Sequence, residues 1–366
     1  MSTKTIELKK DKIYLKLRQS IINGKLPAGK KLPNETDFAR NLKVGRITLR
    51  ASLDRLEYEG YIKRIHGKGT FVSPENVKPE KIPTILVISG ASTSSFENPQ
   101  NYIVPEIIRF AESKELETLV TSDSTLLMFS SDDIKNYVKK NNVIGIIAVM
   151  NHFHGNEPIL SKLRCSGVPV VMPHCLKNDP ENTGFAGISI DERDGWKTAI
   201  EYLAERGHKN IGLIGLAGRH MFRNFSKQEC LELLENNGIE PIESLLVQVN
   251  FDRELIKNTV RNMFAGEKKP TAILCYSDFC AIYVYEALKE MKLKIPKNVA
   301  VMGTCGYPDA VLLSPPLSTV DYGYAESAEM AVAMLQQPEK WFSNGKGKLR
   351  MKPFKLRKRK STSIKK

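Results

Sequence analysis

The chain has 366 residues, 55 Lys+Arg against 41 Asp+Glu, and a formal net charge of +14. That length accommodates two or three domains with sizeable cores; the absence of a run of about 18 apolar residues, and of an apolar core in the opening MSTKTIELKKDK, predicts neither a membrane span nor export, hence a cytoplasmic protein. The charge is polarised: residues 1–80 carry 18 basic against 9 acidic side chains, and residues 81–345 carry 26 against 32, the footprint of a protein that neutralises phosphates with one end.

In chain order, a first helix is expected from about Asp11 to Asn23, followed by the Gly/Pro-containing link 24–33. Asn34 is a good N-cap, and Glu35 and Asp37 place negative charge on the first turn of a short helix from Glu35 to about Leu42. Gly45 serves as the next N-cap, and Ile47, Leu49, Leu53 and Leu56 are read as one apolar stripe running toward Tyr58. Arg46, Thr48 and Arg50 then occupy the first turn and a half, the part of a recognition helix that meets base edges in the major groove. An arginine fork can donate two hydrogen bonds to guanine, worth about 1–3 kcal/mol of discrimination. Tyr61 to Ile65 and Thr70 to Val72 read as two strands joined by His66-Gly67-Lys68-Gly69, whose glycines permit the positive φ of a tight hairpin. A tip carrying His66 and Lys68 can lie against phosphates or in a minor groove.

The segment resembles the winged-helix domain of the GntR family of bacterial repressors. Leu32-Pro33-Asn34-Glu35, Val44-Gly45-Arg46-Ile47-Thr48-Leu49-Arg50, Gly60-Tyr61-Ile62 and Gly67-Lys68-Gly69-Thr70-Phe71-Val72 match its pattern over about the first 72 residues. The resemblance implies that Arg46 and Arg50 read or anchor the major groove and that His66 and Gly67 sit at the wing tip, with Asn34, Thr36, Thr48 and Lys68 also facing double-stranded DNA. Two positions depart from the pattern: Gly45 replaces the usual Ser, and Thr36 stands where many members carry a DNA-contacting Arg. The alternative is a helical pair used for protein contact, with both arginines merely solvated.

A Pro-rich charged linker is expected at 74–83, between a DNA-binding domain at 1–73 and an effector domain at 84–366. Beyond it, short apolar runs at Thr84–Ser89, Leu116–Thr121, Val143–Met150, Val168–Met172, Asn210–Gly215, Leu245–Val249, Thr271–Tyr276 and Asn298–Gly303 alternate with amphipathic stretches near 101–114, 131–141, 157–165, 194–206, 223–237, 253–266 and 277–291. This rhythm predicts an α/β fold of doubly wound parallel sheets in two lobes, with a ligand cleft beyond the strand ends. The C-terminal 21 residues hold 11 basic and no acidic groups. They read either as a second nucleic-acid tail or, from the spacing of Leu349, Met351, Phe354 and Leu356, as half-buried strands. The cysteines, Cys165, Cys175, Cys230, Cys275, Cys280 and Cys305, show no Cys-x-x-Cys pair or metal-ligand spacing, so reduced, mainly core thiols and no metal or cofactor are expected.

From Thr84 onward the chain resembles the effector domain of LacI/GalR repressors, itself similar to periplasmic sugar-binding proteins. Val168-Pro169-Val170-Val171, Ile188-Ser189-Ile190-Asp191, Gly207-His208-Lys209-Asn210-Ile211-Gly212, Ser277-Asp278, Ile295-Pro296, Pro316-Leu317-Ser318-Thr319-Val320 and Arg359-Lys360-Ser361-Thr362 carry the likeness. Joined to a GntR reader, such a body is similar to arabinose repressors of the AraR type. The resemblance implies effector contacts at Asp278 and Asp191. It aligns His174 and Cys305 with ligand-contacting acids, and Ser226 with an arginine for which Arg223 is a substitute. Phe96 or Tyr276 would cover the apolar face of a sugar ring. Asp278 and Asp191 read equally well as helix N-caps, Cys305 as a packed side chain, and His174-Cys175 as strand neighbours pointing to opposite faces rather than a catalytic dyad. The expectation is a ligand-responsive regulator, not an enzyme, that represses as a homodimer on a pseudo-palindromic operator and responds to a saccharide or related metabolite. The alternatives are a solute-binding protein and a DNA-tethered enzyme without such a response. The first lacks an export signal, and the second lacks a P-loop or a Gly-x-Gly-x-x-Gly after a strand.

Overall fold

The computed structural model describes residues 9–73, 82–90, 98–149, 153–216 and 227–363, and the chain divides into two compact units, 1–83 and 84–366. Most of the expected linker, 74–81, lies outside the described residues.

The first unit is built from α1 (Lys9–Ile22), α2 (Glu35–Asn41), α3 (Arg46–Tyr58), β1 (Ile62–Ile65) and β2 (Gly69–Val72). Asn34 caps α2 by accepting from the Asp37 amide at 2.9 Å, and Gly45 precedes α3 in an extended conformation without a side-chain cap. Leu49, Leu53 and Leu56 are fully buried with Tyr14, Leu17, Ile21, Phe38 and Ile62 in one small core. Ile47 corrects the expected stripe: it is 87% exposed. Two residues turn an α-helix through about 200°, so Ile47 points away from the face that Leu49 buries. The hairpin β1–β2 pairs Ile65 with Gly69, and Gly67 and Gly69 have φ of +70° and +110°, values an L side chain rarely adopts.

The second unit begins with β3 (Thr84–Ser89), α4 (Gln100–Ser113), β4 (Glu117–Ser122), α5 (Asp123–Leu127), α6 (Ser131–Lys140), β5 (Val143–Val149), α7 (Pro158–Cys165), β6 (Val170–Met172), α8 (Asp179–Thr183) and β7 (Ala186–Ile190). The chain then crosses to a second lobe of α9 (Glu192–Ala204), β8 (Ile211–Leu216), α10 (Lys227–Asn236), β9 (Leu246–Val249), α11 (Arg253–Ala265), β10 (Ala272–Cys275), α12 (Asp278–Glu290), β11 (Ala300–Cys305) and β12 (Ser318–Asp321). It returns through α13 (Tyr324–Gln336), α14 (Pro338–Trp341) and the short pair β13 (Phe342–Ser343) and β14 (Lys346–Gly347). It closes with β15 (Leu349–Lys352) in the first lobe and β16 (Lys355–Arg357) in the second.

Each lobe is a six-stranded sheet, ordered β15-β7-β6-β5-β3-β4 and β16-β12-β11-β10-β8-β9. The first is parallel throughout, and in the second only β16 runs antiparallel. The central strands β3, β5 and β11 are buried along almost their whole length, as expected where helices cover both faces. Three segments join the lobes: after β7, after β12, and between β15 and β16. The C-terminal basic stretch is thus the edge strand of both sheets, where Lys and Arg discourage edge-to-edge pairing. In β15 Leu349 is half-buried and Arg350 exposed as expected, but the next two residues depart: Met351 is 42% exposed and Lys352 only 9%, because the Lys352 ammonium turns inward to donate to the Gly323 carbonyl. Among the described residues no helix is long and apolar enough to cross a membrane.

Candidate functional site

The solvent face of α3 carries the DNA-reading candidates. Arg46, Ile47 and Arg50 are exposed, and Thr48 is half-buried. Among the described residues Arg46 has no carboxylate partner, whereas Arg50 Nε lies 3.3 Å from Glu35 Oε2. Asn34 spends its side chain on α2, accepting from the Asp37 amide and donating to its carboxylate at 2.7 Å. Thr36 follows, exposed, on the first turn of α2, and its neighbour Asp37 pairs with Arg40 at 3.0 Å. Behind α3, Arg64 of β1 reaches Asp54 at 2.6 Å and Glu57 at 2.7 Å, and its backbone amide donates to Glu57. This fixes the wing to the helix. Burial alone would lower the Arg64 guanidinium, but its acidic partners hold it above the usual arginine value. His66, Gly67 and Lys68 form the exposed turn between β1 and β2. Lys31, bridged to Phe71 through the backbone, sets its ammonium 5.9 Å from the Phe71 ring.

In the second unit the lobes meet over an aromatic cluster. Tyr102 of α4 stacks on Tyr307, just past β11, at 4.3 Å between centroids, and its hydroxyl donates to Asp309 at 3.2 Å. Tyr307 stacks in turn on Tyr324 at 5.6 Å and tilts against Phe279 at 5.2 Å. His174 stands edge-on to Tyr324 at 5.5 Å, with Nε2 3.5 Å from Glu192 Oε1. Burial, reinforced by Lys352, pushes the His174 imidazole down to about 4, so it is neutral at pH 7; among the described residues its buried Nδ1 has no hydrogen-bond partner. Burial and neighbouring Asp191 raise the Glu192 carboxyl to about 7.

Both expected carboxylates have protein partners, Asp278 in the interior and Asp191 at a partly exposed helix start. Asp278 is 3% exposed. One of its oxygens accepts from the Tyr307 amide at 2.7 Å and the other from the Thr319 hydroxyl at 2.6 Å. Burial lifts its carboxyl to about 7 against the lowering effect of those bonds. The cap of α12 is Ser277, not Asp278. Asp278 thus ties α12 to β12 and to the turn after β11, with both oxygens engaged. Asp191 caps α9 through the Asp194 amide at 3.1 Å and pairs with Lys177 at 2.7 Å. Partial burial raises its carboxyl, but Lys177 and the amide outweigh that and hold it below the ordinary carboxylate value. Cys305 has φ +93° and directs Sγ toward the Tyr276 carbonyl at 3.9 Å, which also accepts from Thr304 at 2.5 Å. Tyr276 is half-buried beside it. Phe96, Arg223 and Ser226 lie outside the described residues. The sequence reading missed Tyr102, Phe279, Tyr307, Tyr324 and Glu192; only the run of aromatics flanking Gly306 and Gly323 hinted at them. Among the described residues no group of three His, Cys, Asp or Glu side chains could hold a metal ion.

Residues 9–72 match the family of bacterial regulatory proteins of the gntR type, and residues 200–362 match the periplasmic binding protein-like domain. The chain joins a GntR-family helix-turn-helix domain to a periplasmic-binding-protein-like domain. It is 26% identical over 362 residues to an arabinose metabolism transcriptional repressor of Geobacillus stearothermophilus, covering 88% of this chain and 91% of that one. It is 25% identical to a repressor of the same name from Halalkalibacterium halodurans, over 90% of this chain and 89% of that one. Among solved structures, a LacI-family regulatory protein from Chloroflexus aggregans superposes with a TM-score of 0.59 at 22% identity, covering 76% of this chain and 98% of that one. The lac repressor dimer bound to operator and an anti-inducer gives 0.60 at 20% identity, over 78% of this chain and 96% of that one. These structural likenesses establish the fold of the second unit, and both sequence relatives named above are arabinose metabolism transcriptional repressors.

Proposed function

We propose that this protein is a ligand-responsive DNA-binding repressor whose first unit grips an operator and whose second unit closes on a small metabolite of the sugar class. The observation that carries the reading is the exposed Arg46, without a carboxylate partner among the described residues, set beside Ile47 and Arg50 at the start of α3 in a domain whose residues 9–72 match the gntR family. Arg46 and Arg50 act in the major groove, and His66, Gly67 and Lys68 act at the wing tip. The sugar class rests on the two arabinose-repressor relatives. His174, Tyr276 and Cys305 remain the ligand-facing candidates; Asp191 and Asp278 act as braces behind the site.

Regulation follows from the three inter-lobe crossings. A ligand that prefers the closed arrangement of the lobes shifts the population toward it, and in a homodimer that shift alters the spacing of two winged helices on a pseudo-palindromic site. Effector and DNA affinities are then reciprocally coupled. The test is a thermal-shift screen of pentoses, hexoses and their acids on the full chain, followed by duplex binding with and without each hit. A hit that raises the unfolding temperature and weakens duplex binding supports the reading. Duplex binding unmoved by every stabilising hit refutes the coupling.

A further inference from the structure

We infer that Glu35 is a positioning residue for base discrimination: it sets the Arg50 guanidinium on the exposed face of α3, sharpening sequence preference while lowering overall affinity for DNA. The inference rests on the winged-helix reading above. Glu35 opens α2, and Arg50 lies on α3. The Glu35 side chain is 20% exposed and that of Arg50 is 62% exposed, with Oε2 3.3 Å from Nε. An ion pair on the Nε edge leaves the outer N–H of each terminal nitrogen for a bidentate contact with guanine O6 and N7.

The other Glu35 oxygen, Oε1, accepts a hydrogen bond from Arg64 Nη2 at 3.5 Å, while Arg64 Nη1 is held more closely by Asp54 and Glu57, at 2.6 and 2.7 Å. Arg64 is therefore occupied by α3, and the Glu35 carboxylate is the group that restrains Arg50. Nothing comparable restrains Arg46 among the described residues. A carboxylate on the DNA-facing side of the domain repels phosphates. Its placement makes physical sense where the order it imposes on a reading side chain outweighs that repulsion, and in a segment with twice as many basic as acidic groups the repulsion is tolerable.

The experiment uses the full chain. A preferred duplex is selected from a randomised library with the wild-type protein, and Arg50→Ala identifies the base pair whose preference depends on Arg50. Glu35→Gln is then measured on the selected duplex, on that single-pair variant and on a scrambled duplex across a salt series. The expected result has two opposite signs. Binding to the scrambled duplex strengthens, roughly twofold, because one screened negative charge is gone. Discrimination at the Arg50 base pair falls about fivefold or more, because the fork is no longer oriented. In the Arg50→Ala background Glu35→Gln leaves discrimination unchanged.

A purely structural role at the start of α2 would lower the unfolding temperature and leave the discrimination ratio intact. That result overturns the inference while leaving the winged-helix reading in place, as does a loss of discrimination that persists in the Arg50→Ala background. A wild-type chain with no salt-dependent binding to any duplex overturns both.

Discussion

Replacing Arg46 by alanine separates recognition from stability with unusual clarity. The side chain is exposed and, among the described residues, pairs with no carboxylate, so its removal leaves no buried charge behind. Alanine is the best helix former, and an exposed substitution of this kind alters folding by no more than about 0.5 kcal/mol. On DNA the same deletion removes either a bidentate base contact or a phosphate contact. A base contact is worth about 1–3 kcal/mol, that is, roughly 5- to 150-fold in affinity for the preferred duplex, with little change on scrambled sequence. A phosphate contact instead weakens all duplexes alike and reduces the slope of log K against log salt by about 0.9. Fluorescence anisotropy on preferred and scrambled duplexes at several salt concentrations, beside a thermal melt, distinguishes the two. Unchanged affinity for both duplexes would remove Arg46 from the interface and with it the main support for the proposed DNA-reading surface.

Other perturbations test the frame behind each surface. Leu49→Ala empties a fully buried position in the small core of the first unit and should cost about 2–5 kcal/mol, read by chemical denaturation; a loss below 1 kcal/mol would mean that α3 is not held as described. Gly69→Ala places a Cβ at φ +110° and 2.9 Å from Lys31 Cε, so it should destabilise the wing and weaken duplex binding, whereas an unchanged melt and affinity would show the hairpin tip to be unstrained. Asp278→Asn probes the raised carboxyl. Because the folded group titrates near 7 and an unfolded one near 4, the native state binds the extra proton between those values, and its contribution to stability falls as pH rises through that window. Wild type should therefore lose stability relative to Asp278→Asn from pH 4 to 7, the two running parallel above about 8. A difference independent of pH would place the carboxyl in solvent.

The alternating strands and helices of the second unit were legible because parallel strands covered on both faces read as continuous apolar runs, and the helices between them expose one polar side. The reading failed where that contrast vanishes. Helix α13 was not anticipated: its sequence YAESAEMAVAMLQ buries Tyr324, Ser327, Ala328, Ala331, Val332, Met334 and Leu335, and a helix packed between α4 and the sheet shows little of the one-sided pattern that marks a surface helix. Ile47 failed for the opposite reason, being apolar yet aimed at solvent. In β15 the long Lys352 side chain buries its stem and finds a carbonyl, while Met351, the residue that looks like core, stays outside.

The candidate sites divide along the same physical line. Recognition-helix and wing residues are contiguous in sequence, so a local motif carries their geometry, and the positive φ at Gly67 and Gly69 could be expected from the hairpin alone. The aromatic cluster where the lobes meet brings together Tyr102, His174, Glu192, Tyr307 and Tyr324, which span more than two hundred residues of chain, and no spacing rule brings them together. Asp278 illustrates the consequence. By position it looks like a ligand acid, and only the distant Thr319 hydroxyl and the Tyr307 amide disclose that both its oxygens are already used. If a metabolite nevertheless enters the cleft, polar recognition must come from groups whose bonding is incomplete, and the buried, unpartnered Nδ1 of neutral His174 is one of them. His174→Phe keeps the edge-on packing against Tyr324 and removes both ring nitrogens. It should lower affinity for a polyhydroxylated effector found by the thermal-shift screen while leaving duplex binding in its absence unchanged, whereas undiminished effector affinity would assign His174 to packing alone.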